Sequence, residues 1–208
     1  MKKYYRYLKL IIFTMGTQAL IYFLMKFFIK DYNAIGSFLN VPLIKPFVFF
    51  YDSWYPFILL NTFLIFKSGG KTFNYLIVTM LLVAFISQIT FLVYPTILSR
   101  PNIEVNNIID WLLDFTYKSD TPAVNCLPSM HCNYCFVTSY YILQASNLKK
   151  RNKVFIIVYS FMIVLSTLFV KQHIIEDVIL AFIYSSLVIT LVHFNKKNID
   201  KLFDKLNI

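Results

Sequence analysis

The sequence predicts an all-α fold: a bundle of six transmembrane helices, with a short interfacial helix in the outer loop between the third and fourth helices. Two observations point to lipid, because 58% of the residues are apolar and only 14% are charged. Soluble domains average about 45–50% apolar residues and about 25% charged residues. The third observation is a series of long apolar segments joined by mostly short connections. We therefore expect residues 1–208 to form a single integral membrane domain.

Six segments approach the roughly 20 mostly apolar residues that a membrane helix requires. In chain order they are Leu8–Phe28, Pro46–Phe66, Phe73–Tyr94, Ser129–Ser146, Val154–Val170 and Asp177–Phe194. The second is interrupted by Asp52 and Pro56, so its helix is expected to start later. No small-residue cleavage site follows the first segment, and we therefore expect an anchor rather than a removable signal.

The distribution of charge predicts the orientation of this bundle. With a cytoplasmic N-terminus, the inner segments hold 14 of the 20 cations and two of the ten acids, a net charge of +12. The outer segments then carry a net charge of −2. This positive-inside bias predicts a multi-pass protein of the cell membrane with both termini in the cytoplasm. Because the cations are spread over four short inner segments, we expect no nucleic-acid partner.

The long outer connection, Pro95–Pro128, contains a helical pattern. Its apolar residues at helical spacing are Val105, Ile108, Ile109, Leu112 and Leu113. We expect a short helix in the membrane interface, with Trp111 and Phe115 at headgroup level. Asp110 and Asp114 are four residues apart, which predicts a shared solvated face and leaves a role as metal ligands open.

Two of the three histidines fall at the outer ends of predicted helices. His173 is followed four residues later by Asp177, and residues at this spacing share a helix face. A carboxylate there can accept the Nδ1–H of the imidazole and leave the other nitrogen nucleophilic. The alternative is an aspartate that only complements the helix dipole. Lys171, two residues before His173, could hold an anion beside the ring.

The other histidine, His131, follows a proline and Ser129 at the start of the fourth apolar segment, which is a helix-start signal. Free backbone N–H groups at such a start bind phosphate, and Ser129 adds a hydroxyl donor or acts only as a cap. Arg100 lies just after the third segment, where a lone arginine is usually an interfacial anchor. Together these residues are suited to phosphoryl transfer: cations for an anion, a nucleophile, its orienting acid and a second histidine to protonate the leaving group.

The order Arg-Pro, Pro-Ser-x-His and Lys-Gln-His-x3-Asp resembles the type-2 phosphatidic acid phosphatase superfamily. This superfamily includes lipid phosphate phosphatases and head-group transferases such as inositol phosphorylceramide synthases. The resemblance covers about residues 70–190 and implies a catalytic core over about residues 70–194, with six helices and an outward-facing site. Lys171-Gln172-His173 resembles the synthase-like branch, in which this lysine takes the place of a missing cation. The superfamily usually has a lysine where this chain has Val93 and an arginine where it has Thr167.

The resemblance implies a role for each site residue. His173 is the expected nucleophile and forms a phosphohistidine, Asp177 orients it, and His131 is the general acid. The phosphate is expected to bind Arg100 and Ser129, with Lys171 as a further cation. No metal or other cofactor is expected.

We therefore predict a membrane phosphatase that acts on a lipid phosphate at the outer leaflet. The alternatives are a lipid head-group phosphotransferase of the same superfamily, an inactive relative, and a non-enzymatic transporter whose outer histidines bind a metal ion. Cys132 and Cys135 flank His131 at a spacing known from zinc sites, but cysteines in a membrane helix are more often small apolar fillers. A disulfide between Cys126 and Cys132 is a further possibility that the sequence leaves open.

Overall fold

The computed structural model describes residues 2–206, without the side chains of Lys2 and Lys3. Residues 1, 207 and 208 of the predicted 1–208 domain therefore lie outside the described part. The side chains of Lys2 and Lys3, two of the predicted inner cations, lie outside it as well. The protein is mostly helical, at 73%. The helices are α1 (Lys2–Phe28), α2 (Val48–Asp52), α3 (Trp54–Ser68), α4 (Gly70–Val93), α5 (Ile108–Ser119), α6 (Met130–Gln144), α7 (Lys150–Phe169), α8 (Ile175–Phe194) and α9 (Lys196–Lys205). The strands are β1 (Asn33–Ile35) and β2 (Thr96–Leu98).

Among the described residues, five helical segments are long and apolar enough to cross a membrane. They are Tyr4–Phe28, Lys45–Ser68, Gly70–Val93, Lys150–Phe169 and Ile175–Phe194. Large apolar side chains such as Phe85, Phe161 and Leu187 project outward from these helices with more than half of their surface exposed. Such extensive exposed apolar surface is expected where lipid covers a protein. These helices fit a multi-pass membrane protein.

The fourth predicted span is shorter than expected. The sequence predicts Ser129–Ser146, but α6 is only the 15 residues Met130–Gln144. At 1.5 Å per residue it is about 22 Å long, less than the roughly 30 Å of a hydrocarbon core. It packs against α3, α4, α7 and α8, and Tyr134, Cys135 and Val137 are completely buried. The predicted count of six spans is therefore not reached by length, although α6 is the centre of the bundle.

The second predicted span is broken near its start. Pro56 has no N–H to donate to the carbonyl of Asp52, and the chain divides into α2 and α3 at Ser53. The Ser53 hydroxyl donates to the Phe50 carbonyl at 2.7 Å, and the Asp52 carboxylate accepts from the Thr116 hydroxyl. This break places aromatic side chains of α2 and α3 beside the start of α6.

Buried polar side chains join α6 to its neighbours. Asn133 donates from Nδ2 to the Ser87 hydroxyl of α4 at 3.2 Å, and its Oδ1 accepts from the Ser185 hydroxyl of α8 at 2.9 Å. Farther along, the hydroxyls of Tyr141 and Thr79 are 2.8 Å apart. Hydrogen bonds between membrane helices stabilise their packing. They hold α6 against α4, and the start of α6 against the middle of α8.

The all-α prediction misses a small region of strand. β1 and β2 pair in parallel, and the backbone N–H of Leu98 donates to the carbonyl of Ala123 at 2.9 Å. The β-branched residues Thr96 and Ile97 favour extended backbone. The segments before and after α5 are thereby joined to the segment that follows α1.

A helix, α5, does form in the long connection. Its first N–H groups, at Ile109 and Asp110, donate to the side chain of Asn107. Asp110 is only 2% exposed and pairs with Lys45 at 2.7 Å, an interaction that lowers the pKa of Asp110 below its usual value. The prediction of a solvated acidic face is therefore wrong at Asp110, because the Lys45 ammonium group compensates for its burial.

Candidate active site

The site is built on the connection between α7 and α8, which turns sharply at its start. Helix α7 ends at Phe169, and the backbone N–H groups of Gln172 and His173 both donate to the carbonyl of Thr167 at 3.0 Å. Between them and the helix, Lys171 adopts a left-handed conformation with φ of 55°, which is uncommon outside glycine and asparagine. The turn presents His173 at the entrance to α8.

His173 is oriented by a buried carboxylate. Its Nδ1 lies 2.9 Å from Oδ2 of Asp177, and the two side chains are 10% and 0% exposed. The same oxygen accepts the backbone N–H of Ile174 at 3.1 Å, whereas Oδ1 accepts no hydrogen bond from any residue between 2 and 206. An ionised carboxylate only accepts hydrogen bonds, so Nδ1 carries the proton and the lone pair lies on Nε2.

The start of α6 is attached directly to this pair. The backbone N–H of Ser129 donates to the carbonyl of Asp177 at 3.2 Å. The Ser129 hydroxyl accepts the N–H of Cys132 at 3.3 Å as the helix cap. Ser129 is completely buried, and its hydroxyl proton is available to a further acceptor. The predicted cap is thus present, and it places Ser129 against the first turn of α8.

His131 lies in the first turn of α6, facing His173. The centroids of the two imidazole rings are 5.9 Å apart. Tyr51 stacks on His131 with centroids 4.6 Å apart, Trp54 contacts the ring at 4.4 Å, and the Trp54 indole donates to the His131 carbonyl at 3.1 Å. Sequence reasoning missed both aromatic residues, because nothing in the apolar second segment distinguishes a residue that contacts the site from one that faces lipid.

A cleft opens beside His173. Its volume is about 360 Å³. Its walls are residues 35–37 and 39–41, Leu98 and Ser99, and five residues at and beside the α7–α8 connection: Leu168, Lys171, His173, Ile174 and Ile175. Lys171 lines the cleft, as an anion-binding residue requires. Its Nζ donates to the backbone carbonyl of Val41, a partner that the sequence did not suggest.

Arg100 is near this region but already paired. Its Nη2 lies 2.8 Å from Oδ2 of Asp120, and its side chain is only 9% exposed. It also lies over the ring of Tyr117 at 5.2 Å. Tyr117 donates from its hydroxyl to the Val170 carbonyl at 2.8 Å; burial raises its pKa to about 12 and keeps it protonated. Arg100 is therefore connected to the α7–α8 turn through Tyr117, not by direct contact with His173.

Asp120 is the charged partner of Arg100 that sequence reasoning missed. Its carboxylate also accepts from the Tyr22 hydroxyl at 3.0 Å and lies 3.6 Å from the Lys26 ammonium group. Two cations thus share one carboxylate in this cluster. The signal available in the sequence was weak, because Lys26, Arg100 and Asp120 lie in three separate segments.

The cysteines form neither of the arrangements considered from the sequence. Cys126, Cys132 and Cys135 are all free and buried, so the disulfide between Cys126 and Cys132 is not formed. The Cys132 thiol contacts the Thr167 hydroxyl at 3.7 Å. Among residues 2–206 no three His, Cys, Asp or Glu side chains are grouped as metal ligands.

Searches of curated proteins and of solved structures find no match. The family model described as the PAP2 superfamily matches residues 72–200, which include Arg100, Ser129, His131, His173 and Asp177. Members of this superfamily are generally phosphatases or phosphotransferases, and membership suggests a membrane enzyme acting on lipid phosphates. Since the match spans more than half of the 208 residues, the chain belongs to the PAP2 superfamily.

Proposed function

We propose that this protein is a membrane phosphatase that removes phosphate from a lipid at the outer leaflet, through a phosphohistidine on His173. The observation that carries the proposal is the 2.9 Å contact between His173 Nδ1 and the buried Asp177 carboxylate. It leaves the Nε2 lone pair free on a residue that lines the cleft. A nucleophile oriented by a buried acid is the arrangement that covalent catalysis requires.

The reaction has two steps. In the first, Nε2 of His173 bonds to phosphorus while the phosphorus–oxygen bond to the lipid breaks, and His131 donates a proton to the departing oxygen. In the second, His131 takes a proton from water as the water attacks phosphorus and the phosphorus–nitrogen bond breaks. The balance is lipid phosphate and water converted to lipid alcohol and inorganic phosphate, and both histidines return to their initial state.

Phosphate binding is assigned to Ser129, the N-terminus of α6, Arg100 and Lys171. The free N–H groups of a helix start favour an anion. Arg100 and Lys171 are bonded to Asp120 and to the Val41 carbonyl, so each must exchange that partner for phosphate oxygens. Phosphate presents more negative charge than a carboxylate or a carbonyl, and charge-assisted hydrogen bonds to it favour this exchange.

A second candidate is a head-group phosphotransferase of the synthase-like branch, in which an alcohol replaces water in the second step. The observation that favours it is the cleft, since its lining includes the polar side chains of Ser37, Asn40 and Ser99. Its volume of about 360 Å³ exceeds the needs of one water molecule. The Lys171-Gln172-His173 sequence is the resemblance that connects it to that branch.

For the membrane, we infer one domain with six spans, in which α6 is the fourth, and with both termini in the cytoplasm. The packing of α6 among four long helices supports its inclusion in the bundle. α5 is assigned to the interface because Leu113 and Tyr117 are buried on one face, while Trp111 and Phe115 stack at 5.8 Å on the exposed one. Exposed aromatic rings prefer the headgroup region.

Cysteine labelling tests this orientation. We expect a membrane-impermeant thiol reagent to label Glu104→Cys, in the connection before α5, in intact cells. Lys149→Cys, between α6 and α7, is expected to react only after permeabilisation. The three native cysteines are buried, which limits background labelling, and the wild-type protein is the control. Labelling of position 149 alone in intact cells contradicts the proposed orientation.

Catalysis in the presence of a chelator tests the activity. In detergent, we expect the purified protein to release phosphate from at least one of phosphatidic acid, phosphatidylglycerol phosphate, polyprenyl diphosphate and a phosphoinositide, at the same rate with and without a chelator. Addition of an alcohol acceptor distinguishes transfer from hydrolysis, because a transferase forms a phosphorylated alcohol instead of phosphate. Loss of phosphate release in the presence of chelator, restored by added metal, contradicts a metal-independent reaction. Stoichiometric bound metal without turnover supports the transporter alternative.

A further inference from the structure

Residues 36–41, here called the strap, cross the cleft on the side facing the α7–α8 connection. Five of these six residues line the cleft together with His173. The strap follows β1, whose pairing with β2 anchors one end, and the backbone N–H of Ile44 donates to the Phe169 carbonyl at 2.9 Å near the other end. The strap lies outside residues 72–200, the part that matches the superfamily.

Two side chains of the α7–α8 connection hold the strap on either side of His173. Lys171, two residues before His173, donates to the carbonyl of Val41. Glu176, three residues after it, accepts the Ser37 hydroxyl at 2.9 Å and the backbone N–H of Phe38 at 3.0 Å. The Ser37 hydroxyl oxygen in turn accepts the N–H of Leu39 at 3.1 Å. Both carboxylate oxygens of Glu176 are thus engaged, and such charge-assisted bonds are stronger than neutral ones.

The size of the cleft limits what can enter it. At about 360 Å³ it is at the lower end of the range of roughly 300–1,000 Å³ that ligand sites occupy. That volume accommodates a phosphate with a small headgroup, whereas the hydrocarbon chains of a lipid must leave across the rim. The strap exposes two large apolar side chains: Leu39, which lines the cleft and is 50% exposed, and its neighbour Phe38, which is 72% exposed.

We propose that the strap is the specificity element of the site: Phe38 and Leu39 contact the hydrocarbon of a lipid phosphate, and Glu176 is the positioning residue that holds them there. The proposal rests on the proposed function and adds the residues that select the lipid substrate over a soluble phosphate ester. Soluble phosphate esters reach His173 without contacting Phe38 or Leu39. Removal of apolar contact is therefore expected to weaken the lipid substrate selectively.

The test compares a lipid phosphate in detergent micelles with the soluble ester para-nitrophenyl phosphate. For the double variant Phe38→Ser, Leu39→Ser we expect KM for the lipid to rise about tenfold, the loss of roughly one buried side chain's contact. The kcat for the lipid and both constants for the soluble ester are expected to stay within about twofold of wild type. The matched control is Phe194→Ser, since Phe194 is 81% exposed at the far end of α8.

Glu176 is tested by a graded pair of substitutions. Glu176→Ala is expected to reproduce the lipid-selective rise in KM. Glu176→Gln is expected to restore most of the wild-type value, because the amide oxygen still accepts from Ser37 or Phe38. Glu104→Ala, which removes an exposed carboxylate from another connection, is the control. Equal changes for the lipid and the soluble ester, or no change for either, overturn the proposal.

A binding measurement separates this proposal from the proposed function. In a His173→Ala background, where turnover is not required, binding of a fluorescent lipid phosphate is expected to weaken about tenfold in the double strap variant, and binding of inorganic phosphate is expected to stay unchanged. An affinity for the lipid phosphate that is the same with and without the double strap substitution overturns this inference, even if His173 is the nucleophile. Strap-dependent binding without any turnover by wild type supports it and overturns the phosphatase.

Discussion

Replacement of His173 by alanine is expected to lower kcat for a lipid phosphate by at least about 10³-fold, because it removes the atom that bonds to phosphorus. The fold is expected to survive, since the His173 side chain makes one hydrogen bond, to Asp177, and lines an open cleft. Phosphate release under saturating substrate measures the effect. A brief reaction of wild type with radiolabelled substrate, quenched in alkali to preserve phosphohistidine, is expected to leave label on the protein.

The matched control for this substitution is His193→Ala. His193 is exposed near the end of α8, remote from the first turn that carries the site, and its loss is expected to change kcat less than twofold. His173→Gln, which retains a polar side chain of similar size, guards against misfolding of the alanine variant, with thermal melting in detergent as the check. Full activity of a folded His173 variant, or label trapped on another residue, refutes the assigned nucleophile.

Replacement of Asp177 by asparagine is expected to lower kcat on the order of 10²–10⁴-fold with little change in KM. Asparagine has nearly the same shape, but Oδ2 of Asp177 meets both His173 Nδ1 and the Ile174 N–H, so only one of the two amide groups can occupy that position. An amide oxygen there is neutral and no longer stabilises the positive charge that the imidazole gains when it is phosphorylated. An NH2 group there donates to Nδ1, which moves the imidazole proton to Nε2 and removes the nucleophilic lone pair. Steady-state kinetics of phosphate release measures the effect, and the decrease is expected in kcat rather than as a rise in KM.

Asp114→Asn is the control for this substitution. Asp114 is also one partner of an i,i+4 pair, with Lys118 at 2.6 Å, but the lysine side chain is 75% exposed. A surface pair of this kind contributes less than about 1 kcal/mol, so activity is expected to stay near wild type. If Asp177→Asn retains wild-type kcat, Asp177 only caps α8 and the orienting role is wrong.

The site residues differ in how far the sequence could predict their surroundings. The pair of His173 and Asp177 was predictable because four residues of helix bring two side chains to one face. The same local logic placed Ser129 at the start of α6. The partners of Arg100 and Lys171 were not predictable, since Asp120 and the Val41 carbonyl belong to other segments. No local pattern encodes which carboxylate or carbonyl a long cationic side chain will meet.

The helices also differ in how far the sequence could predict them. Long apolar runs predicted the segments that the structure confirms as long enough to cross a membrane, because transfer into lipid depends on composition summed over about 20 residues. α6 was predicted too long. Its ends are determined by Ser129 and by packing among four helices, whereas hydropathy counts apolar residues without regard to which are buried by protein.

The sequence by itself determined the membrane class and the helical segments, which depend on composition along about 20 residues. It also determined the local geometry of His173 with Asp177 and of Ser129 with α6, which depends on neighbours within four residues. Only the tertiary structure decided that His131 faces His173 at 5.9 Å, that Tyr51 and Trp54 pack around it, and that the strap walls the cleft. These contacts join residues tens of positions apart. They exist because buried polar bonds and helix packing bring the starts of α6 and α8 together, and no short-range pattern specifies that association.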